Sequence, residues 1–259
     1  MPMDLAQTFE AWRALMLDQE ATWWQEFYVR FYQAFIEADR WQQYLEGVGV
    51  TIVATAIALA IGVVLGVLVA VIRTAHDQQR PGRPRNFLLG VVNLICKIYV
   101  TVIRGTPMMV QILIMGMVVF SSSRNYTAVG ALTLGINSGA YVAEIIRGGL
   151  MSLDIGQSEA GRSLGLNYLD TMRFIVVPQA FKAILPSLGN EFIVLLKDTS
   201  LISIIGGQEM VYFAKNIVNR TFDAMFPLIG AAIIYLVLVM IFTWLQGKLE
   251  RRLRQSDRR

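Results

Sequence analysis

The chain has 259 residues, of which 55% are hydrophobic and only 16% charged, with a formal net charge of +4 and a mean hydropathy of +0.50. A single cysteine excludes an intrachain disulfide, and one histidine beside one cysteine argues against a dedicated soft-metal site. A crossing needs roughly 20 apolar residues, and the apolar runs suffice for about five, so the expected fold is an all-α polytopic membrane protein with one transmembrane domain.

Residues 1 to 46 form a polar and aromatic extension with eight carboxylates against three arginines. They lack the basic start and apolar centre of a signal peptide. Trp23, Trp24, Tyr28, Phe31, Tyr32, Phe35 and Trp41 crowd its second half, and Phe27, Phe31 and Phe35 recur every four positions, as on one helix face. An amphipathic helix at the membrane interface is expected, since tryptophan and tyrosine favour that layer; a contact surface for an external partner is the alternative. The transmembrane domain is expected over residues 47–247, and a basic cytoplasmic tail over 248–259.

Gly47 to Ile72 reads as the first span. Gly62 and Gly66 make a GxxxG pair suited to close packing, read as intrachain rather than as a dimer motif. Arg73 to Arg85 follows, with Arg80, Arg83 and Arg85 in a loop broken by Pro81, Gly82 and Pro84, and His76 solvated within it. Between two apolar segments such a run is a topology signal rather than a nucleic-acid site. Phe87 to Val102 reads as an interfacial lead-in helix, with Cys96 a packing residue, and Gly105 to Phe120 as the second span, with Pro107 marking its start. Thr127 to Leu150 is the third, with Glu144 and Arg147 spaced i, i+3 and so able to pair.

Ser158 to Pro178, SEAGRSLGLNYLDTMRFIVVP, is polar and helix-permissive between apolar runs. Ala160, Gly161 and Gly165 present a small-residue surface that would let another backbone approach, and Pro178 is expected to end the helix. Ser187 to Ile205 is the fourth span. Steps of three, four and seven place Ser187, Asn190, Glu191, Val194, Lys197 and Asp198 along one face. Ala224 to Trp244 is the fifth span. The lysine and arginine bias puts the N-terminus outside, and the Ser158 segment and the tail in the cytoplasm. The loop from Gln208 to Asp223 falls on the outer side.

The pattern Glu159-Ala160-Gly161-x3-Gly165-x9-Ile175-x-Val177-Pro178 resembles the cytoplasmic loop signature of permease subunits in bacterial ABC importers, with Gly161 where alanine is usual and Val177 where leucine is usual. VIRGTPMMVQ from Val102, INSGAYVAEIIRGG from Ile136 and KDTSL from Lys197 are similar to the polar amino acid uptake branch. The resemblance covers about Gly47 to Arg252. It implies a type I importer permease whose coupling helix, about residues 158–166, docks an ATPase subunit dimer through Glu159, Ala160, Gly161, Gly165 and Leu166. It also implies a second permease subunit, identical or a sister chain, and an extracytoplasmic amino-acid-binding protein. ATP and magnesium would sit on the partner ATPase. No GxxxxGK[ST] loop and no nucleophile–base set occurs here, so this chain carries no cofactor and no catalytic residue of its own.

A carboxylate inside a bilayer is a functional candidate by default, so Glu191 and Asp198 are read as holding the cationic part of a ligand. The acidity of Glu191 would favour a basic side chain. Arg104, Thr106, Gln111, Asn137 and Ser138 are the donors available for a ligand carboxylate, with Arg104 equally placed to anchor at the interface. A passive pore or membrane scaffold is the rival reading; it gives the Glu159 helix no role. The same fold importing another small zwitterion, such as an opine, is a third.

Overall fold

Two glycine-bearing helices set the frame of the bundle. In the computed structural model, which describes residues 4–77 and 86–256, helix α3 (Arg40–Asp77) runs beside α6 (Tyr126–Met151). Gly62 faces Ser138, Gly66 faces Val142, Gly135 faces Ile61, and Gly139 faces Leu65 and the Tyr99 hydroxyl. A Cβ at any of the four would come within 2.5 to 2.7 Å of its neighbour. Absent side chains therefore set the helix separation, which suits a bilayer, where close van der Waals contact rather than water exclusion drives association. The GxxxG pair at Gly62 and Gly66 is used within the chain, as expected. Gly135 and Gly139 form its counterpart on α6.

Every element among the described residues is helical. A hairpin of α1 (Leu5–Leu17) and α2 (Trp23–Phe35) precedes α3, closed by a Phe9–Tyr32 stack at 4.4 Å and a Trp12–Tyr28 edge contact at 5.0 Å. The expected single helix of the extension is thus two, and the boundary placed at residues 46–47 falls inside α3. Among the described residues, four helices are long and apolar enough to cross a membrane: 37–77, 87–105, 126–151 and 225–253. The first of these counts the turn Glu37–Asp39 with α3; the last is α11 (Met225–Ser256).

The structure redraws the second span. Helix α4 (Phe87–Gly105) has the length of a crossing, whereas α5 (Met108–Ile114) with the π-turn Met115–Val119 gives only a short apolar helix. At 1.5 Å per residue the latter reaches about 18 Å, well short of a ~30 Å hydrocarbon core. The two lie end to end along α6. Val100 and Cys96 of α4 pack with Ala140 and Ala143, while Ile112 of α5 packs with Val129. Cys96 is the buried packing residue expected of it.

Four further expectations are corrected. Pro178 does not end a helix: the helical run continues from α8 (Tyr168–Thr171) through a π-turn, Met172–Val176, into helix α9 (Val177–Asp198), and the wider turn just before it accommodates the N–H that proline lacks. The helix expected as the fourth span starts about ten residues earlier than the reading from Ser187 and closes with a 3-10 turn, Thr199–Ile205, and with its charged residues it is not among the four helices apolar enough to cross. The outer loop from Gln208 is largely helix α10 (Met210–Thr221), whose Met210, Ala214 and Ile217 are buried against Tyr44 and Ala231. Its cap is the fully buried Glu209, which accepts from the Val211 and Tyr212 amides at 2.9 Å and from the Tyr235 hydroxyl at 2.8 Å. His76 lies in the last turn of α3, its Nδ1 3.4 Å from Asp77, rather than in the loop. Arg80 to Arg85, Arg258 and Arg259 lie outside the described residues.

Candidate functional site

Two regions carry unusual polarity: the break between α4 and α5, halfway along α6, and the short segment between α6 and α9. The break follows from Pro107. Without an N–H, it leaves the Ile103 carbonyl without its helical donor. The Gln111 carboxamide takes that place, its Nε2 donating to Ile103 O at 2.8 Å, to Thr106 O at 3.1 Å and to Thr106 Oγ1 at 2.8 Å. The Thr106 hydroxyl donates to Val102 O at 2.9 Å. Asn137 of α6 completes the set through Nδ2, donating to Gln111 Oε1 at 2.9 Å. Irregular backbone at such a depth is tolerated where side chains satisfy it and where it borders a cavity or a protein interface. Arg104 lies beside the break, exposed, with its guanidinium 5.1 Å above the Tyr141 ring.

The candidate residues separate into groups. Arg104, Thr106, Gln111 and Asn137 come together with Tyr141, a residue that the sequence reading does not single out. Ser138, adjacent to Asn137, faces the other way. It packs on Gly62 and donates to Glu191 Oε1 at 2.8 Å, tying α6 to α9 through a carboxylate that is only 8% exposed. Asp198 ends α9, half-buried, with Lys197 beside it exposed. Along α9 the polar face divides. Ser187, Asn190 and Lys197 are exposed, whereas Glu191 turns inward.

A second internal tie closes the end of the frame nearest the Ser158 segment. Arg73 at the end of α3 donates to Glu144 of α6, and Arg147 approaches the same carboxylate at 3.4 Å. The Glu144–Arg147 pairing is the one expected from spacing. The Arg73 contact is not visible from spacing, since 71 residues separate the partners and Arg73 reads as the start of the basic loop.

Between α6 and α9 the chain forms α7 (Ile155–Ser163) and the single turn α8 (Tyr168–Thr171). Asp154 caps α7 by accepting from the Gly156 amide at 2.8 Å. Gly165 ends it at φ +81°, with the Leu166 amide reaching back to Gly161 O at 3.1 Å and the Gly165 amide to Arg162 O at 2.9 Å. That left-handed closing geometry accounts for glycine at this position. Gly161 is buried against Thr171 and Ile175, where a Cβ would lie 2.9 to 3.1 Å from their side-chain atoms. The expected small-residue surface is therefore divided: Gly161 faces its own chain, Gly165 shapes the turn, and Glu159 and Ala160 remain outward, with Leu166 half-buried. Ile155, Leu164 and Leu169 are exposed around them. Gln179 of α9 donates to Gln157 at 3.0 Å and seats α7 on the bundle.

The model of the binding-protein-dependent transport system inner membrane component matches residues 86–255. The glutamine transport system permease protein of Escherichia coli K12 is 36% identical over 178 residues, covering 67% of this chain and 81% of that protein. The arginine transport system permease protein of Bacillus subtilis 168 is 37% identical over 187 residues, covering 66% and 84%. Among solved structures, an amino acid ABC transporter with histidines aligns over 82% of this chain and 94% of that one, with a TM-score of 0.72 and 38% identity. The inward-facing methionine transporter MetNI shares the fold at a TM-score of 0.70 and 16% identity, over 84% of this chain and 99% of that one. With its broken second crossing and its short polar helix between the third and fourth, the chain belongs to the binding-protein-dependent transport system inner membrane component family, as a type I ABC importer permease of the polar amino acid uptake branch.

Proposed function

We propose that this chain is the membrane-spanning subunit of an ATP-driven importer of polar amino acids, with a preference for basic side chains. The observation that carries the coupling part is α7, a nine-residue helix whose exposed Glu159 and Ala160, with the exposed Leu164 that caps its end, are held out from the bundle by a capped start, a glycine-closed end and the Gln157–Gln179 contact. An ABC ATPase dimer would dock there. The N-terminus lies outside and the C-terminus in the cytoplasm, consistent with the lysine and arginine bias of the segments on the α7 side. A second permease subunit pairs with this one, and an external binding protein delivers the substrate.

The substrate path follows the exposed polar edge formed by the helix break and α9. Arg104 and the second N–H of Asn137 suit the ligand carboxylate, since Gln111 already spends its amide nitrogen on the break. Asp198 and Glu191 supply negative charge for the cationic part, with Glu191 reaching the path only when its bond to Ser138 opens. That opening would give the ligand different contacts in two states, which movement requires. The rival small zwitterion differs in cargo alone.

The test is uptake of labelled amino acids into proteoliposomes that hold this chain, its ATPase and its binding protein. ATP-dependent entry of arginine, histidine or lysine that falls at least tenfold in Glu191→Gln supports the whole reading. ATP-dependent entry of glutamine alone, unchanged by that substitution, keeps the importer and removes the role of Glu191. Flux without ATP would overturn the coupling and leave a passive pore.

A further inference from the structure

The α1–α2 hairpin lies ahead of the residues matched by the family model and takes no part in the path or in the α7 segment. Its core is closed by Phe9, Val29 and Ala34, yet α2 leaves four large aromatic side chains outside: Trp23 at 68% exposure, Trp24 at 61%, Phe27 at 43% and Phe31 at 41%. They form one edge. Trp23 and Trp24 stack at 4.2 Å, Trp24 meets Phe27 at 6.0 Å, and Phe27 and Phe31 lie edge-on to Phe226 at 5.0 and 6.3 Å. Phe226 stands in the first turn of α11, where Met225, Leu228, Ile229, Ile233 and Leu236 continue as an exposed apolar face down a helix long enough to cross a membrane. The aromatic edge is thus the upper margin of a lipid-facing surface.

Charge narrows what meets that margin. The three arginines of the extension are held by glutamates: Arg13 and Arg40 by Glu37, and Arg30 by Glu26. With eight carboxylates against three arginines the extension is net negative, and Asp18 and Glu20 stand exposed in the turn just before Trp23, a charge that disfavours a phosphate-rich anionic surface. Size narrows it further. At roughly 150–250 Å² per aromatic side chain, the exposed fractions offer on the order of 500 Å², below the ~800 Å² per partner of a stable protein interface. Tryptophan, with an apolar body and one N–H, fits the boundary between headgroups and acyl chains.

We propose that the α1–α2 hairpin is a membrane-interface collar. Trp23, Trp24, Phe27 and Phe31 insert at the level of the glycerol and first acyl carbons of zwitterionic phospholipid, beside the start of α11. The collar fixes the depth at which α3 and α11 enter the bilayer, through the Phe35 and Tyr44 rings, which sit 5.4 Å apart, and the Phe35 contact with Gly230.

The experiment uses the full chain in phosphatidylcholine nanodiscs with Trp12, Trp41 and Trp244 changed to phenylalanine, so that emission comes from Trp23 and Trp24 alone. Phosphatidylcholine brominated at acyl carbons 6 and 7 should at least halve the emission. Bromination at carbons 11 and 12 should quench less, and aqueous iodide little. Full quenching by iodide with no effect of either bromolipid would overturn the collar. So would protection from iodide that appears only when the external binding protein is added, which would make the edge a protein contact. Quenching that requires anionic phosphatidylglycerol would overturn the zwitterionic assignment. Should the triple variant not fold, the unmodified chain is compared with Trp23→Phe/Trp24→Phe: the fraction quenched by the shallow bromolipid must fall in the double variant, and an unchanged fraction sinks the proposal. None of these readouts depends on transport.

Discussion

The α3–α6 seam and the α7 segment both depend on glycine, and for opposite reasons. In the seam, Gly62, Gly66, Gly135 and Gly139 are places where a side chain is missing so that another helix can occupy the space. In the α7 segment, a Cβ added at Gly165 would meet nothing within 4 Å, and glycine is required there by its φ of +81°. Gly161 stands between the two, packed on Thr171 and Ile175 of the same chain. The seam is a rigid frame of interlocked backbones, whereas α7 is a small helix held by caps and one carboxamide pair. The proposed coupling, in which a docked partner moves the bundle through α7, would need both: a body that moves as one piece and a handle that a partner can grip.

Substitutions should separate the two regions. The largest effect is expected from Gly66→Leu. Even the first added carbon meets Val142 Cγ1 at 2.5 Å, and with α3 and α6 both committed along their length the strain has no outlet. A cost of about 3 kcal/mol or more is expected from such overpacking, visible as loss of the monodisperse peak in detergent. Normal thermal stability in this variant would mean that the seam is not the frame. Next comes Arg73→Ala, which leaves Glu144 with Arg147 as its remaining cation. The two side chains of the lost pair are 14% and 23% exposed, so a cost of about 2 kcal/mol is expected, less than for a fully buried pair because Arg147 remains. A melting temperature unchanged from the parent would show the tie to be idle. Ser138→Ala removes the donor to a carboxylate that is 8% exposed, and about 1–2 kcal/mol is expected. Restoring stability in Ser138→Ala by adding Glu191→Gln would locate the penalty at that carboxylate.

Much of this is legible in the chain because its signals are local. Apolar runs mark the first, third and fifth crossings, the GxxxG at Gly62 marks the seam, and the Glu159 segment marks α7 through a pattern rather than through a fold. What stays hidden involves pairs distant in sequence or roles that one residue type can fill in several ways. Gln111 and Asn137 read as donors for a ligand because both are polar amid apolar neighbours; only their meeting across the Pro107 break makes Gln111 a partner of the backbone and Asn137 a partner of the Gln111 side chain. Glu191 and Asn190 share a polar stretch, but a 100° step turns one toward Ser138 and leaves the other exposed. Glu209 is invisible as a cap in the sequence, where it sits in a polar loop far from Tyr235, whose hydroxyl it accepts from. Pro178 reads as a terminator because proline removes a helical donor, and nothing in the sequence announces the π-turn at Met172–Val176 that carries the helix past it.

The smallest stability change is expected at Gly165, and it bears most directly on the contrast between frame and handle. Gly165→Ala places a Cβ in a left-handed conformation, which costs about 1 kcal/mol. The space around it is open, so no neighbour has to move. The strain is confined to the end of α7, where the Leu166 amide returns to Gly161 O. The bundle should melt as the parent does, since none of the seam contacts is touched. ATP-driven uptake should nonetheless fall several-fold, because the handle is frayed while the body is intact. A variant that loses stability and uptake in proportion would show that α7 is part of the frame, and one that loses neither would show that the turn is not read by a partner. Gly161→Ala sharpens the same point from the other side. Its Cβ presses on Thr171 and Ile175, at 2.9 to 3.1 Å, so any change in coupling there must pass through a shift of α7 against α8. Pairing it with Thr171→Ser, which removes the methyl that meets the new carbon, should return uptake toward the parent value.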